Sequence, residues 1–190
     1  MVRLLSAGLV LLLLAACAYS PQQLQVSPSI SAEQQRYGKG QSIEVTVEDR
    51  RESKVLGSRG GVYPKTSLIT LADNFTEVLV NAGKATLAAQ GFNVNPQQVG
   101  DAQFKIVVDA LDYQMPERRL GSEVHLVAVL RAEITSGGES YSARYQTRSE
   151  QLMAWTANTA RNEAMVNALV SNTLERLFGD EKLRAFLSNI

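Results

Sequence analysis

Cys17 is the only cysteine in the chain, and the residues before it point to covalent chemistry at its thiol. It follows Leu14-Ala15-Ala16, which closes an apolar run that starts at Leu4, and a single positive charge, Arg3, precedes that run. A charged start, a short apolar run and small residues before a cleavage point are typical of a secretory signal peptide. The run is too short to span a bilayer comfortably. The pattern predicts a signal peptide over residues 1–16.

The tetrad Leu14-Ala15-Ala16-Cys17 also resembles the lipobox of bacterial lipoproteins. The resemblance implies that the Cys17 thiol receives a diacylglycerol, that the preceding peptide is removed, and that the new amino group is acylated. The protein would then be held at a membrane by lipid alone, without any other cofactor. A plain signal peptide with a chance cysteine, or an uncleaved anchor, are the alternatives. The next residue is Ala18 and not the aspartate that retains enteric-type lipoproteins in the inner membrane, which favours the periplasmic face of the outer membrane.

Composition narrows the classes of partner and site. The formal net charge is zero, with 19 Lys+Arg and 19 Asp+Glu, so no overall field attracts nucleic acid and we expect no nucleic-acid partner. With Cys17 committed to lipid, neither a disulfide nor a cysteine-based metal site is available. A length of 190 residues accommodates one domain with a tether.

Residues 17–41 are predicted to form the lipidated cysteine and an extended, flexible tether, because they are rich in Ser, Gln and Pro. Apolar and polar residues alternate from Leu24 to Ile30, which is compatible with part of the tether lying along a sheet edge, where Pro28 is tolerated. Residues 42–190 are predicted to form a single α+β periplasmic domain.

Along that domain, apolar residues recur either every two residues, as in a strand, or about every 3.6 residues, as in a helix. Alternation predicts four strands, a glycine pair predicts a hairpin, and helical spacing predicts one helix before the last three strands and two after them. These elements are strands at 43–47, 104–111, 123–134 and 141–146, a hairpin turn at 136–139, and helices at 70–89, 166–177 and 180–187. Thr70 and Asp73 resemble a capping box, Gly91 fits a helix stop, and Asp180 can cap the last helix. The order predicts a mostly antiparallel sheet with two helices packed on one face.

Four residues of one connection are candidate ligand or partner contacts: Asp49, Arg50, Arg51 and Arg59. Asp49 continues the buried face of the strand at 43–47, and the arginines are permanent cations suited to phosphate or carboxylate. The stretch from Asp49 to Pro64 contains Gly and Ser and is predicted to be a long loop. Its charges either form a solvated surface or contact lipid phosphates, peptidoglycan carboxylates or an acidic partner.

The remaining candidates for catalysis are weak. His125 is the only histidine, and it lies on a predicted strand on the face opposite the apolar row. The sequence contains no G-x-S-x-G elbow, phosphate-binding loop or dinucleotide fingerprint, and no spacing typical of zinc or calcium ligands. Trp155 is predicted to belong to the core or to cover the end of the sheet. We expect no catalytic residues and no metal.

Several motifs together resemble the YajG family of enterobacterial-type lipoproteins. They are the Leu-Ala-Ala-Cys tetrad, Val26-Ser27-Pro28-Ser29-Ile30, the strand ending in Asp49-x-Arg51, Leu68-Ile69-Thr70-Leu71, and Gly91-Phe92-x-Val94. The resemblance covers essentially the whole chain and implies placement in the envelope, without implying catalytic residues.

Two classes of function follow. The first is a non-enzymatic, lipid-anchored accessory or binding module of an envelope complex, in a fold that is also similar to auxiliary subunits of lipid-transport systems. The second is an enzyme acting on peptidoglycan or lipid, which would need a nucleophile and base that the sequence does not indicate.

Overall fold

The computed structural model describes residues 20–31, 35–61, 63–95, 100–116, 121–154 and 156–190. The predicted signal peptide, Cys17 and Trp155 therefore lie outside the described residues. Within them, seven strands and three α-helices alternate in an α+β order, which confirms the predicted class. The strands are β1 (Gln22–Leu24), β2 (Ile43–Asp49), β3 (Val55–Ser58), β4 (Leu68–Leu71), β5 (Ala102–Gln114), β6 (Ser122–Ser136) and β7 (Glu139–Met153). The helices are α1 (Phe75–Ala89), α2 (Thr159–Phe178) and α3 (Glu181–Ser188).

The strands form one sheet in the order β1-β4-β3-β5-β6-β7. The long ladders β5–β6 and β6–β7 are antiparallel, as predicted. The sheet is nevertheless mixed, because β1 pairs with β4, and β2 and β3 pair with β5, in parallel. One edge of β5 is occupied by β6. The other edge is therefore shared by β2 and β3, which pair with successive parts of β5 along its length. The parallel β2–β5 pair follows from the crossover through α1, which returns the chain to the same end of the sheet.

One face of the sheet carries the core. Phe104 of β5 stacks on Phe178 of α2 with ring centroids 5.7 Å apart. Gly83 of α1 lies at a close contact, because a Cβ there would lie 3.3 Å from Ile106 Cδ1 and Val45 Cγ1. Glycine therefore allows α1 to approach β2 and β5 more closely than a larger residue would.

Three local predictions are confirmed by backbone geometry. Gly137 and Gly138 have φ angles of 57° and 87°, as a two-residue hairpin of the mirror-image type requires. Gly91 ends α1 with a φ of 101°. Asp180 caps α3 by accepting a hydrogen bond from the Lys182 backbone N–H at 2.8 Å.

The predicted capping box at Thr70 is wrong. Thr70 belongs to strand β4, where it pairs with both Gln23 and Val55, and α1 begins only at Phe75. The short apolar run Leu68–Leu71 fits either period, and pairing with two neighbouring strands decides its conformation.

The predicted loop from Asp49 to Pro64 also needs correction, since it contains β3. A Cβ at Gly57 of β3 would lie 1.8 Å from the Tyr113 carbonyl oxygen, so glycine is required where β3 meets β5. The four residues of β3, one of them glycine, are too few to show an alternation of apolar and polar side chains in the sequence.

The described residues of the predicted flexible tether are extended and packed against the domain. Leu24 is fully buried and Val26 nearly so, and β1 forms the edge of the sheet beside β4. Beyond β1, alternate backbone N–H groups donate to side chains placed every four residues along α2, at 2.5–3.0 Å. The pairs are Gln25 with Glu163, Ser27 with Asn167, Ser29 with Ser171, and Ser31 with Glu175.

The spacing of the two elements explains this ladder. Four residues of helix advance about 6.0 Å, and two residues of extended chain advance about 6.6 Å, so the donors and acceptors stay in register over the three steps that join the four pairs. The hydrogen bonds from the Ser31 hydroxyl and backbone N–H lower the pKa of Glu175. The helix thus supplies the hydrogen bonds that a neighbouring strand would otherwise supply, and residues 25–31 are fixed along it.

The two faces of β6 provide a test of the layer arrangement. Leu126 and Leu130 are 1% and 2% exposed beneath the helices, whereas Val127 is half-buried on the opposite face. We expect Leu126→Ala to lower the free energy of unfolding by about 2–5 kcal/mol, and Val127→Ala by less than about 1.5 kcal/mol. Urea unfolding followed by circular dichroism measures both. Equal losses would mean that a second subunit or partner covers the open face.

Candidate functional site

Asp49 and Arg51 form a buried ion pair at the end of β2. Residues 43, 45, 47, 49 and 51 follow one another on the helix-covered side, so these two side chains end the buried row. Arg51 Nε donates to Asp49 Oδ1 and Arg51 Nη2 to Oδ2, both at 2.9 Å. The exposed fractions of the two side chains are 5% for Arg51 and 10% for Asp49. This two-point contact is the geometry in which arginine holds a carboxylate most firmly.

Two further side chains complete the site. The Lys54 Nζ lies 2.6 Å from Asp49 Oδ2, and its side chain remains 69% exposed. The Arg51 guanidinium lies over the Phe75 ring, 5.7 Å from its centroid, at the start of α1. Burial raises the pKa of Asp49, but the hydrogen bonds from Arg51 and Lys54 outweigh it and hold that pKa well below its ordinary value. Asp49 is therefore a carboxylate at neutral pH.

These residues line an open cleft of about 460 Å³ between β1, β4 and the start of α1, which we call the Arg51 cleft. Its other lining residues come from β1, β4, the connection between β4 and α1, and the first turn of α1, namely Gln23, Thr70, Leu71, Ala72, Asp73 and Thr76. Arg51 Nη1 is buried and has no hydrogen-bond partner among the described residues. A buried guanidinium nitrogen without an acceptor is costly.

The structure separates the other two predicted arginines from this cleft. Arg50 points to the open face of the sheet, where it pairs with Glu48 at 2.7 Å and approaches Glu133 at 3.6 Å. Lys105 and Arg131 extend this network of exposed charges through the same two carboxylates. Hydrogen bonds from Arg50 lower the pKa of Glu48. Arg50 therefore belongs to a solvated surface network, as one of the two interpretations of the loop anticipated.

Arg59 fixes the end of the sheet. Its Nη1 donates to the Ser20 carbonyl and its Nη2 to the Ala157 carbonyl, both at 3.2 Å. It joins the start of the described chain to the segment that leads into α2. The four predicted site residues thus divide into one pair in the cleft, Asp49 and Arg51, and two arginines elsewhere.

One further cluster of possible ligand residues has no local signal in the sequence. On the open face, Glu123 and His125 of β6 meet Glu150 of β7, with their candidate ligand atoms within 4.8 Å of one another. His125 Nε2 lies 3.1 Å from Glu123 Oε1 on the same strand. The β6–β7 register pairs His125 directly with Glu150, which is 25 residues away in sequence. Only strand pairing, and not residue spacing, could have indicated this cluster.

A chain of three hydrogen-bonded polar side chains is buried under α2. Tyr113 Oη donates to Asn162 Oδ1 at 3.2 Å, and Asn162 Nδ2 donates to Gln22 Oε1 at 2.7 Å. Burial raises the pKa of Tyr113 to about 12. This chain of hydrogen bonds joins β5, α2 and β1, so it helps to place the edge strand β1.

Among the described residues, no helix is both long enough and apolar enough to cross a bilayer. No curated protein matches the chain. The protein is similar in fold to a crystal structure from Xanthomonas campestris, with a TM-score of 0.52 and 13% identity over 85% of this chain and 93% of that one.

Weaker structural likenesses include two proteins described as lipoproteins. The one from Neisseria meningitidis has a TM-score of 0.39 and 14% identity, over 74% of this chain and 99% of that one. A minor lipoprotein from Acinetobacter baumannii has a TM-score of 0.42 and 10% identity, over 80% of this chain and 94% of that one. Residues 28–188 match the sequence model of a protein family that is described as uncharacterized lipoprotein. The chain therefore belongs to this YajG-type lipoprotein family.

Proposed function

We propose that this protein is a non-enzymatic accessory module of an envelope complex, anchored by lipid on Cys17 at the periplasmic face of the outer membrane. The family and the Leu-Ala-Ala-Cys tetrad support the anchor, and Ala18 supports the outer membrane. The Arg51 cleft is the observation that carries the binding role. It presents a guanidinium and an ammonium, which hold anionic groups, and of its two carboxylates that of Asp49 is already engaged by both of them.

The occupant of the cleft is an anionic group of a partner, such as a carboxylate side chain or a peptidoglycan carboxylate. Lys54 supplies an exposed charge at the rim, and the Arg51 guanidinium, which shares the Asp49 carboxylate with Lys54, adds a permanent positive charge. A contact of this kind weakens as salt rises, because exposed charges are screened within about 10 Å at 0.1 M ionic strength.

Reversing the rim charge tests this role. We expect Lys54→Glu to remove the partner from crosslinked envelope complexes and also to lower the midpoint of thermal unfolding, because the new carboxylate lies beside Asp49, with the protein still folded at the temperature of the experiment. Lys39→Glu is the matched control, because Lys39 is also exposed and lies outside the cleft. Crosslinking in cells followed by mass spectrometry gives the readout. An unchanged set of partners in Lys54→Glu would refute a role for the cleft.

A further inference from the structure

The start of the described chain is fixed at one end of the sheet. Arg59 holds the Ser20 carbonyl, Gln22 begins β1, and the ladder along α2 fixes residues 25–31. Three Cα–Cα steps separate Cys17 from Ser20, and at 3.8 Å each they span about 11 Å at most. A lipid on Cys17 would therefore bring this end of the domain to the membrane surface, whatever path the intervening residues take.

Several elements meet at this end. The segment after β3 reaches Ser20 and Ala157 through Arg59. Met115, which follows β5, packs on the same segment, because its Cε lies 2.4 Å from where a Cβ at Gly60 would be. At the end of β7, Met153 pairs with Ser122, the first residue of β6. We call this surface the anchor-proximal end; it comprises residues 59–61, 63–67, 115, 152–154 and 156–157.

Both exposed large hydrophobic side chains of the described residues belong to the anchor-proximal end. Tyr63 is 61% exposed and Leu152 is 71% exposed. Tyr63 lies in the segment that Arg59 begins, and Leu152 precedes Ala157 by five residues. A tyrosine has an apolar ring with a polar tip, which suits the boundary between headgroups and acyl chains.

We propose that the anchor-proximal end is a membrane-docking surface, in which Tyr63 and Leu152 enter the lipid interface beside the anchor. The proposal rests on the lipid anchor of the proposed function and adds the orientation of the domain. The occupant is a lipid surface because the anchor leaves about 11 Å between Cys17 and Ser20, a span too short for a folded partner to occupy. The sheet then stands with its hairpin at Gly137-Gly138 pointing away from the membrane, and the rest of the domain faces the periplasm.

The single native cysteine makes a sharp test available. With Cys17 occupied by lipid, Leu152→Cys gives a unique thiol for an environment-sensitive fluorophore on the full lipidated protein. Glu139→Cys, at the hairpin, is the matched control, because 13 strand residues place it about 44 Å away. Both proteins are reconstituted in vesicles of phosphatidylethanolamine and phosphatidylglycerol that contain a lipid with a quencher on its acyl chain.

We expect the label at position 152 to lose about half of its emission, because interfacial side chains reach roughly 5–10 Å into the headgroup and acyl boundary. The label at position 139 should keep its emission. Tyr63→Cys provides a second probe with the same expectation as Leu152→Cys.

Sedimentation with the vesicles separates the two ways of failing. A protein that does not sediment lacks its anchor, and that result overturns both the anchor and the orientation. Sedimentation with equal emission at positions 152 and 139 overturns the orientation alone and leaves the anchor intact.

Discussion

Cys17→Ala should abolish membrane anchoring. Each buried methylene of an acyl chain contributes about 0.8 kcal/mol, and a single chain gives only marginal binding, so two or more chains are needed for an anchor that resists washing. The substituted protein should carry no lipid and remain an unprocessed precursor or become a soluble periplasmic species. Incorporation of labelled palmitate and fractionation after high-salt washing measure the two effects.

The size of the protein on a gel separates those products, because the precursor retains residues 1–16. Ala18→Ser is the matched control, since it changes a neighbouring small residue and leaves the thiol in place. Equal palmitate incorporation in wild type and Cys17→Ala would show that the lipid is elsewhere or absent.

Asp49→Asn should be among the most destabilising polar substitutions in the domain. It leaves the Arg51 guanidinium, 5% exposed, without its counter-charge. Removing one partner of a buried pair costs about 3–5 kcal/mol, whereas an exposed pair contributes less than about 1 kcal/mol. Glu48→Gln is the matched control, because the neighbouring Glu48–Arg50 pair is exposed. Urea unfolding at neutral pH should show the difference, and equal losses would contradict the burial of the Asp49–Arg51 pair.

The same pair sets an acid dependence of stability. The pKa of Asp49 in the folded protein is lower than its ordinary value of 3.8, so the folded state favours the carboxylate. The resulting stabilisation is fully present above the unfolded pKa and is lost as the pH falls below it, toward the folded pKa. The advantage of wild type over Asp49→Asn should therefore shrink below about pH 4. A difference that stayed constant down to pH 2 would place the cost in packing and not in charge.

Prediction from sequence succeeded where one periodicity was sustained over many residues. The alternation of β6 and the glycine pair after it specified the long hairpin, and Asp180 specified the start of α3. It failed at β3 and β4, whose four residues each are too few to establish a period. It also could not anticipate the parallel pairs, since these depend on where the α1 crossover returns the chain.

The candidate site divides in the same way. The carboxylate at the end of a buried row was recognised, and alternation places Arg51 beside it. Alternation also sends Arg50 to the opposite face, so treating three arginines of one loop as a single contact surface ignored strand geometry. The contacts of Arg51 with Phe75 and of His125 with Glu150 join distant segments, and the sequence carries no local signal for either.

The ladder between residues 25–31 and α2 has a consequence for the order of events during export. The donors are 138–144 residues ahead of their acceptors, so in the proposed export the segment beside Cys17 would leave the translocation machinery long before α2 does. Contacts so distant in sequence form late, because the chain between them must first be ordered. The N-terminal segment would consequently stay accessible to the enzymes that modify Cys17 until α2 has been exported. Docking of residues 25–31 on α2 then marks the completion of the fold.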